Sequence, residues 1–333
     1  MNFHQFLIFM ALTLFWMFFQ TARAQEVIVA VIDTGLEVES LKSPSSLWVN
    51  SGESGLDQKG RDKSKNGIDD DKNGFVDDAN GFNFAGMNSQ IRDFHGHGTH
   101  VTGIIHRLNP QVKIMVLKYY EPSNPQMNIE NTAKAIAYAV KMGAHVINYS
   151  GGGHSPDKNE LAALKEAEKK GVLVIAASGN DGRNNDFAGF YPASYPLSNI
   201  VSVGSSSKNG EPLSSSNYGP KSVHVVAEGE NIFAPILNSK FGAMTGTSQA
   251  AAYVSGVASL IFQERPQASD QEVKAQLLLS GSPLAFLKTK TKYKRKVEAS
   301  RALAYRNSNR DAFDRPLRVA ESLFENDFLF RTQ

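Results

Sequence analysis

"HVINYSGGGHSPDKNELAALKEAEKKGVLVIAAS", residues 145–178, carries the pattern that decides the fold. HVINYS is a short apolar run ending in glycines. SPDKNELAALKEAEKKG has Leu and Ala at helical spacing, with Ser155 or Asp157 placed to cap its start and Gly171 to stop it. VLVIAAS is a second apolar run of strand length. Strand, helix and strand in one short stretch predict a parallel pair joined by a helical crossover.

The same rhythm extends outward in both directions. EVIVAVID (26–33) reads as a buried strand and VKIMVLKYY (112–120) as another. NIENTAKAIAYAVKMG (128–143) reads as a helix, and IVSVGSS (200–206) as a strand. TSQAAAYVSGVASLIFQER (247–265) is apolar almost all round, so it predicts a central, buried helix. SDQEVKAQLLL begins with a Ser-x-x-Glu capping box. The expected fold is α/β, a mostly parallel sheet with helices on both faces. Ligands of such sheets bind at the carboxyl ends of the strands.

The bulk composition narrows the classes. Of 333 residues, 41% are hydrophobic and 20% charged, which suits a globular core rather than disorder. A net charge of +2 gives no reason to expect nucleic acid as a partner. There is no cysteine, so disulfides, thiolate catalysis and cysteine-bound zinc are excluded.

Residues 6–19, FLIFMALTLFWMFF, form an apolar run short of the about twenty residues of a membrane span. Ala22-Arg23-Ala24 follows, with small residues where a signal peptidase needs them. The expectation is a signal peptide over 1–24, a mature chain from Gln25, and a secreted or periplasmic location with no membrane attachment after cleavage. Residues 50–94 are polar and rich in Gly, Asn and Asp, too long for an idle loop. The tail over 306–333 is charged, with scattered Phe and Leu.

Four positions carry possible chemistry. Asp33, in VIDTG, stands at the carboxyl end of the first strand; it reads as a turn or cap residue or as a carboxylate at the sheet's mouth. HGHGTHVTGII offers His95, His97 and His100, as a general base or as a three-histidine zinc site. The spacings of two and three, with no Glu between, fit zinc motifs poorly. Asn180, in AASGN, is a left-handed turn residue or an oxyanion donor. Ser248, in GTSQAAA, is a helix cap or a nucleophile held where the helix dipole favours negative charge.

Read together in chain order, VIDTG, HGTHVTG, AASGN and GTSQAA resemble the subtilisin-like serine peptidases, the subtilases. The resemblance covers nearly the whole chain after the leader, and the order Asp, His, Ser is that of subtilisin. It implies a three-layer subtilisin-like domain over 25–305, acting as a monomeric endopeptidase on protein or peptide substrates. It implies Ser248 as nucleophile, His97 as base, Asp33 as its orienting carboxylate and Asn180 as oxyanion donor. YSGGG implies a substrate-pairing segment at Ser150, Gly151 and Gly152. FYPASYP lies by the specificity pocket, and its Tyr191-Pro192 bond is a candidate cis peptide.

There are departures from the family pattern. Gln249 stands where Met usually follows the serine, and Phe190 where some members have glycine at the pocket floor, which shortens the pocket. Eight residues separate the expected cleavage point from Asp33, leaving no room for a pro-domain. A catalytically silent, subtilase-fold binding protein is therefore the alternative reading. Within the insertion, DDDKNGFVDD places Asp69, Asp71 and Asn73 at alternate positions, then Gly74 and Asp77, like the start of a calcium loop. Asn80 stands where a full EF-hand has Glu, and Lys42 where the family's common calcium aspartate falls. Structural Ca²⁺ is expected in the insertion.

Overall fold

The computed structural model describes residues 26–41, 43–120, 122 and 127–305. The expected signal peptide, Lys42 and the tail from 306 lie outside the described residues. The strands are β1 (Ile28–Asp33), β2 (Gly81–Asn83), β3 (Lys113–Lys118), β4 (Val146–Tyr149), β5 (Leu173–Ala177), β6 (Ile200–Ser206), β7 (Val225–Glu228), β8 (Ile232–Ile236), β9 (Lys240–Met244), β10 (Ser282–Pro283) and β11 (Arg295–Lys296). The helices are α1 (His97–Leu108), α2 (Asn128–Lys141), α3 (Lys158–Lys169), α4 (Thr247–Glu264), α5 (Asp270–Ser280) and α6 (Ala299–Ala304).

One sheet runs β10-β11-β7-β6-β5-β4-β1-β3-β2, and β8 and β9 form a separate hairpin. Every pair in the large sheet is parallel except β10 with β11. Strand alternation explains the three layers. Val29 and Val31 of β1 face one core, with Ile104 and Ile105 of α1, Val254 and Val257 of α4, and Leu277 of α5. Ala30 and Ile32 face the other, with Ile136 and Tyr138 of α2 and Leu164 of α3. Both faces of β1 are buried, so it reads as an unbroken apolar run.

Local signals set the element ends. Asp157 caps α3, its Oδ1 accepting from the N–H groups of Asn159 at 2.8 Å and Glu160 at 2.9 Å. Ser269 and Glu272 form the expected capping box of α5. Helix α4 lies across one face of the sheet, and α1 packs beside it. A methyl carbon on Gly256 would lie 2.6 Å from Leu108 Cδ1, so only glycine lets these helices approach so closely.

Three features are not marked by periodicity. Strand β2 lies inside the polar insertion and extends the sheet beyond β3. The β8–β9 hairpin lies over α1, where the His100 Nε2–H donates to Ile232 O at 2.9 Å and Gly242 O at 3.2 Å. The insertion itself is seated by an aromatic cluster, Phe75 lying edge-on to Tyr138 at 5.0 Å and to Phe82 at 4.9 Å. Among the described residues, no helix is long and apolar enough to cross a membrane.

Candidate active site

The sheet reverses its order of growth at β1, whose neighbours are β3 on one side and β4 on the other. Crevices form at the carboxyl ends of strands at such a switch point. Asp33 ends β1 there, and Ser150 follows β4 there.

Asp33 is buried, and its Oδ1 accepts from His97 Nδ1–H at 2.8 Å and from Thr34 N–H at 2.8 Å. His97 is the first residue of α1. The Asp33 charge raises the His97 pKa above its ordinary value; burial opposes this, and the hydrogen bond to Asp33 and the charge of Asp93 add to it. His97 is thereby held in one tautomer, with Nε2 left as its basic nitrogen.

Asp93 is a second buried carboxylate that motif reading missed. Its Oδ1 accepts from Thr34 Oγ1–H at 3.0 Å, His95 N–H at 2.8 Å and Gly96 N–H at 2.9 Å. Its Oδ2 accepts from Thr99 N–H at 2.9 Å and Thr99 Oγ1–H at 2.7 Å. Burial pushes the Asp93 carboxyl up, but the bonds from Gly96, Thr99 and His95 outweigh it and hold the pKa below the usual value. Thr34 Oγ1 in turn accepts from Gly98 N–H at 2.9 Å. The end of β1 and the start of α1 are thus bound through one carboxylate. An Asp shortly before a helix start was the available signal.

Ser248 is the second residue of α4 and is buried. Its Oγ–H donates to Ser150 O at 2.9 Å, and Ser150 Oγ–H donates back to Ser248 O at 3.1 Å. Behind them, Asn148 Nδ2–H donates to Ser150 Oγ at 2.9 Å and Ser255 Oγ–H to Asn148 Oδ1 at 2.8 Å. This buried polar chain ties α4 to β4, and Asn148 too escaped motif reading. Asn180 Oδ1 accepts from Thr247 N–H at 2.9 Å and Thr247 Oγ1–H at 3.1 Å. That fixes which end of the amide is oxygen, so the Asn180 amino group turns away from Thr247. The Ser248 N–H belongs to the first turn of α4, whose N–H groups have no intrahelical acceptor.

Ser150, Gly151 and Gly152 run on from β4, and Gly153 pairs with Tyr191 through N–H···O bonds of 2.7 and 2.9 Å. The Tyr191–Pro192 bond is cis. The three histidines do not converge: His95 lies edge-on to Tyr120, and His100 is turned to the β8–β9 hairpin.

The insertion brings Asp69 and Asp71 to Glu53, with one oxygen of each within 4.8 Å of the others. Asn73 N–H donates to Asp69 Oδ1 and Asp71 Oδ1, both at 3.0 Å. Asp77 turns elsewhere and accepts from Gly67 N–H at 3.0 Å. Its neighbour Asp78 is buried and accepts from Asn50, Asn73 and the Tyr138 hydroxyl. Glu53 is fully buried; its Oε1 accepts from Asp70 N–H at 2.6 Å, while Oε2 has no hydrogen-bond partner. A buried carboxylate with one oxygen unpartnered, close to two further carboxylates, suits a hard cation with oxygen ligands. Nothing in the residues around Glu53 suggested it from sequence.

A family model described as the subtilase family matches residues 24–305. The "Major intracellular serine protease" of Bacillus subtilis (strain 168) is 36% identical over 222 residues, 61% of this chain and 68% of that protein. "Subtilisin-like protease 2" of Plasmodium falciparum (isolate 3D7) is 36% identical over 183 residues, 51% of this chain but only 14% of its own length. The crystal structure of a lanthipeptide protease aligns with a TM-score of 0.63 at 25% identity, covering 83% of this chain and 86% of that one.

Proposed function

The chain belongs to the subtilase family of serine endopeptidases, and from that premise we propose that it cleaves peptide bonds through an acyl-enzyme on Ser248. The observation that carries the reading is the Asp33–His97 hydrogen bond at the end of β1, together with Ser248 bonded to Ser150 at the end of the neighbouring strand β4. In this reading the Ser248 hydroxyl exchanges its bond to Ser150 O for one to His97 Nε2. Ser248 Oγ then bonds to the peptide carbonyl carbon while its proton passes to His97. The C–N bond breaks, and His97 returns the proton to the departing amine. Water repeats the sequence to release the acid. Asn180 and the Ser248 N–H hold the oxyanion, and residues 150–152 pair with the substrate main chain.

The acidic insertion holds Ca²⁺ through Glu53, Asp69 and Asp71. The ion's role is structural, since it orders a polar segment that has few apolar contacts beyond its aromatic seat. The apolar leader and Ala22-Arg23-Ala24 support export.

The Ser248–Ser150 bond favours a second reading, a silent binding protein whose serine is structurally employed. Labelling with a small fluorophosphonate, read by mass spectrometry, separates the two. A single adduct on Ser248, lost in His97→Ala, supports the peptidase. Folded, calcium-loaded protein that stays unlabelled refutes it.

A further inference from the structure

We infer that the pocket for the acyl-side residue of the cut bond is filled by Phe190, so that the enzyme selects glycine or alanine there. The inference rests on the proposed catalytic reading and deepens it. With the carbonyl carbon at Ser248 Oγ and its oxygen towards Asn180, the residue that carries it lies between two backbone walls. One wall is the segment after β4 and the other is the turn after β5.

Both walls are made of glycine where they face this slot. A methyl carbon on Gly152 would lie 2.5 Å from Phe190 Cε1 and 3.0 Å from Cζ. One on Gly179 would lie 3.0 Å from both Cδ2 and Cγ of the same ring. The phenyl ring therefore touches both walls at once and takes the volume that a substrate side chain would need. The ring's backbone is also held. Phe190 N–H donates to Ser194 Oγ at 3.0 Å, Ser194 N–H donates back to Phe190 O at 2.9 Å, and Tyr191 is bonded in both directions to Gly153.

The mouth of the slot is bridged as well. His154, from the first wall, lies edge-on to the Phe190 ring at 5.5 Å, and its Nε2 lies 3.4 Å from Asp181 Oδ2 of the second wall. A hydrogen or a methyl group fits beneath this closure, whereas a leucine or phenylalanine side chain must expel the ring. Discrimination by a hydrophobic pocket runs to about 10- to 200-fold per methylene. A peptide with Phe at this place should therefore react at least about 100-fold more slowly than its Ala counterpart.

The test compares two peptidyl diphenyl phosphonates, differing only in an Ala- or Phe-type side chain, by their rates of inactivation. The small fluorophosphonate serves as reference. The expected result is an Ala-over-Phe ratio of at least about 100 in the wild type. In Phe190→Gly or Phe190→Ala the ratio should fall at least about tenfold, each rate being taken relative to that variant's own fluorophosphonate rate. The two variants guard against one failing to fold. Fluorophosphonate labelling with no Ala preference in the wild type, or a ratio unmoved by emptying the pocket, overturns this inference alone. Failure of every reagent to label Ser248 overturns the catalytic reading and this one with it.

Discussion

Replacing Asp93 by alanine tests whether a buried carboxylate outside the triad sets the site. The substitution removes the acceptor of five hydrogen bonds, three from backbone N–H groups and two from hydroxyls. The Thr34 and Thr99 hydroxyls can rotate to other acceptors, so the loss falls mainly on the N–H groups of His95, Gly96 and Thr99. Those of Gly96 and Thr99 serve as the cap of α1, worth ~1–2 kcal/mol. A buried N–H left without an acceptor costs ~1–3 kcal/mol. The sum is about 2–5 kcal/mol, towards the lower end where water enters the gap. At this size each kcal/mol moves Tm by about 2–4 °C, so Tm should fall by roughly 4–20 °C. Calorimetry in a Ser248→Ala background avoids self-digestion. Because the folded pKa of Asp93 lies below its ordinary value of 3.8, this stabilisation is present above that pH and is lost as pH falls through the lowered value. The gap between wild type and Asp93→Ala should therefore close in strong acid. Asp93→Asn, which keeps the shape but removes the charge, should also lower the acid limb of kcat/KM by withdrawing support from the His97 imidazolium. A Tm change under 1 °C at neutral pH, together with an unmoved acid limb, would refute the reasoning.

Other expectations follow from the same geometry. His97 must be neutral to act as base, and Asp33 raises its pKa, so kcat/KM should fall with acid at a pH above the ordinary 6.5; Asp33→Asn should shift that limb downward, and an unchanged limb would mean that another group is titrating. Asn180→Ala should cut turnover about 100- to 1000-fold with little change in KM, a result to be read from peptide hydrolysis. It also strips Thr247 N–H of its acceptor, so a small fall in Tm should accompany it. Chelation of Ca²⁺ should lower Tm in the wild type, since saturation at 100 times Kd adds about 2.7 kcal/mol; in Glu53→Gln the chelator should have much less effect, and equal shifts in both would place the ion elsewhere.

The sequence by itself determined the architecture and pointed to the groups proposed to react. Apolar runs of strand length alternating with capped, amphipathic segments admit few arrangements other than a parallel sheet covered on both faces. Asp157, Gly171 and the Ser269–Glu272 box are local devices, complete within a few residues, so they were legible without tertiary contacts. Asp33, His97, Asn180 and Ser248 could be proposed from the sequence because each lies in a short stretch rich in small residues at an element boundary.

What only the tertiary structure decided involves residues distant in the chain. Asp93 reveals its part only when the end of β1 meets the start of α1. Asn148 matters because it lies below Ser150 and against Ser255 of α4. Glu53 joins Asp69 and Asp71 across a folded loop, while Asp77, which fits the linear calcium spacing, serves a turn at Gly67 instead. The strands β2, β8 and β9 gain their partners from a neighbouring sheet edge or from each other rather than from an apolar period of their own. Phe190 shows the division most plainly: its ring is set against Gly152 and Gly179, two segments remote from it in the chain. Hydrogen-bond acceptors and packed volumes are set by three-dimensional proximity, which spacing along a chain does not encode.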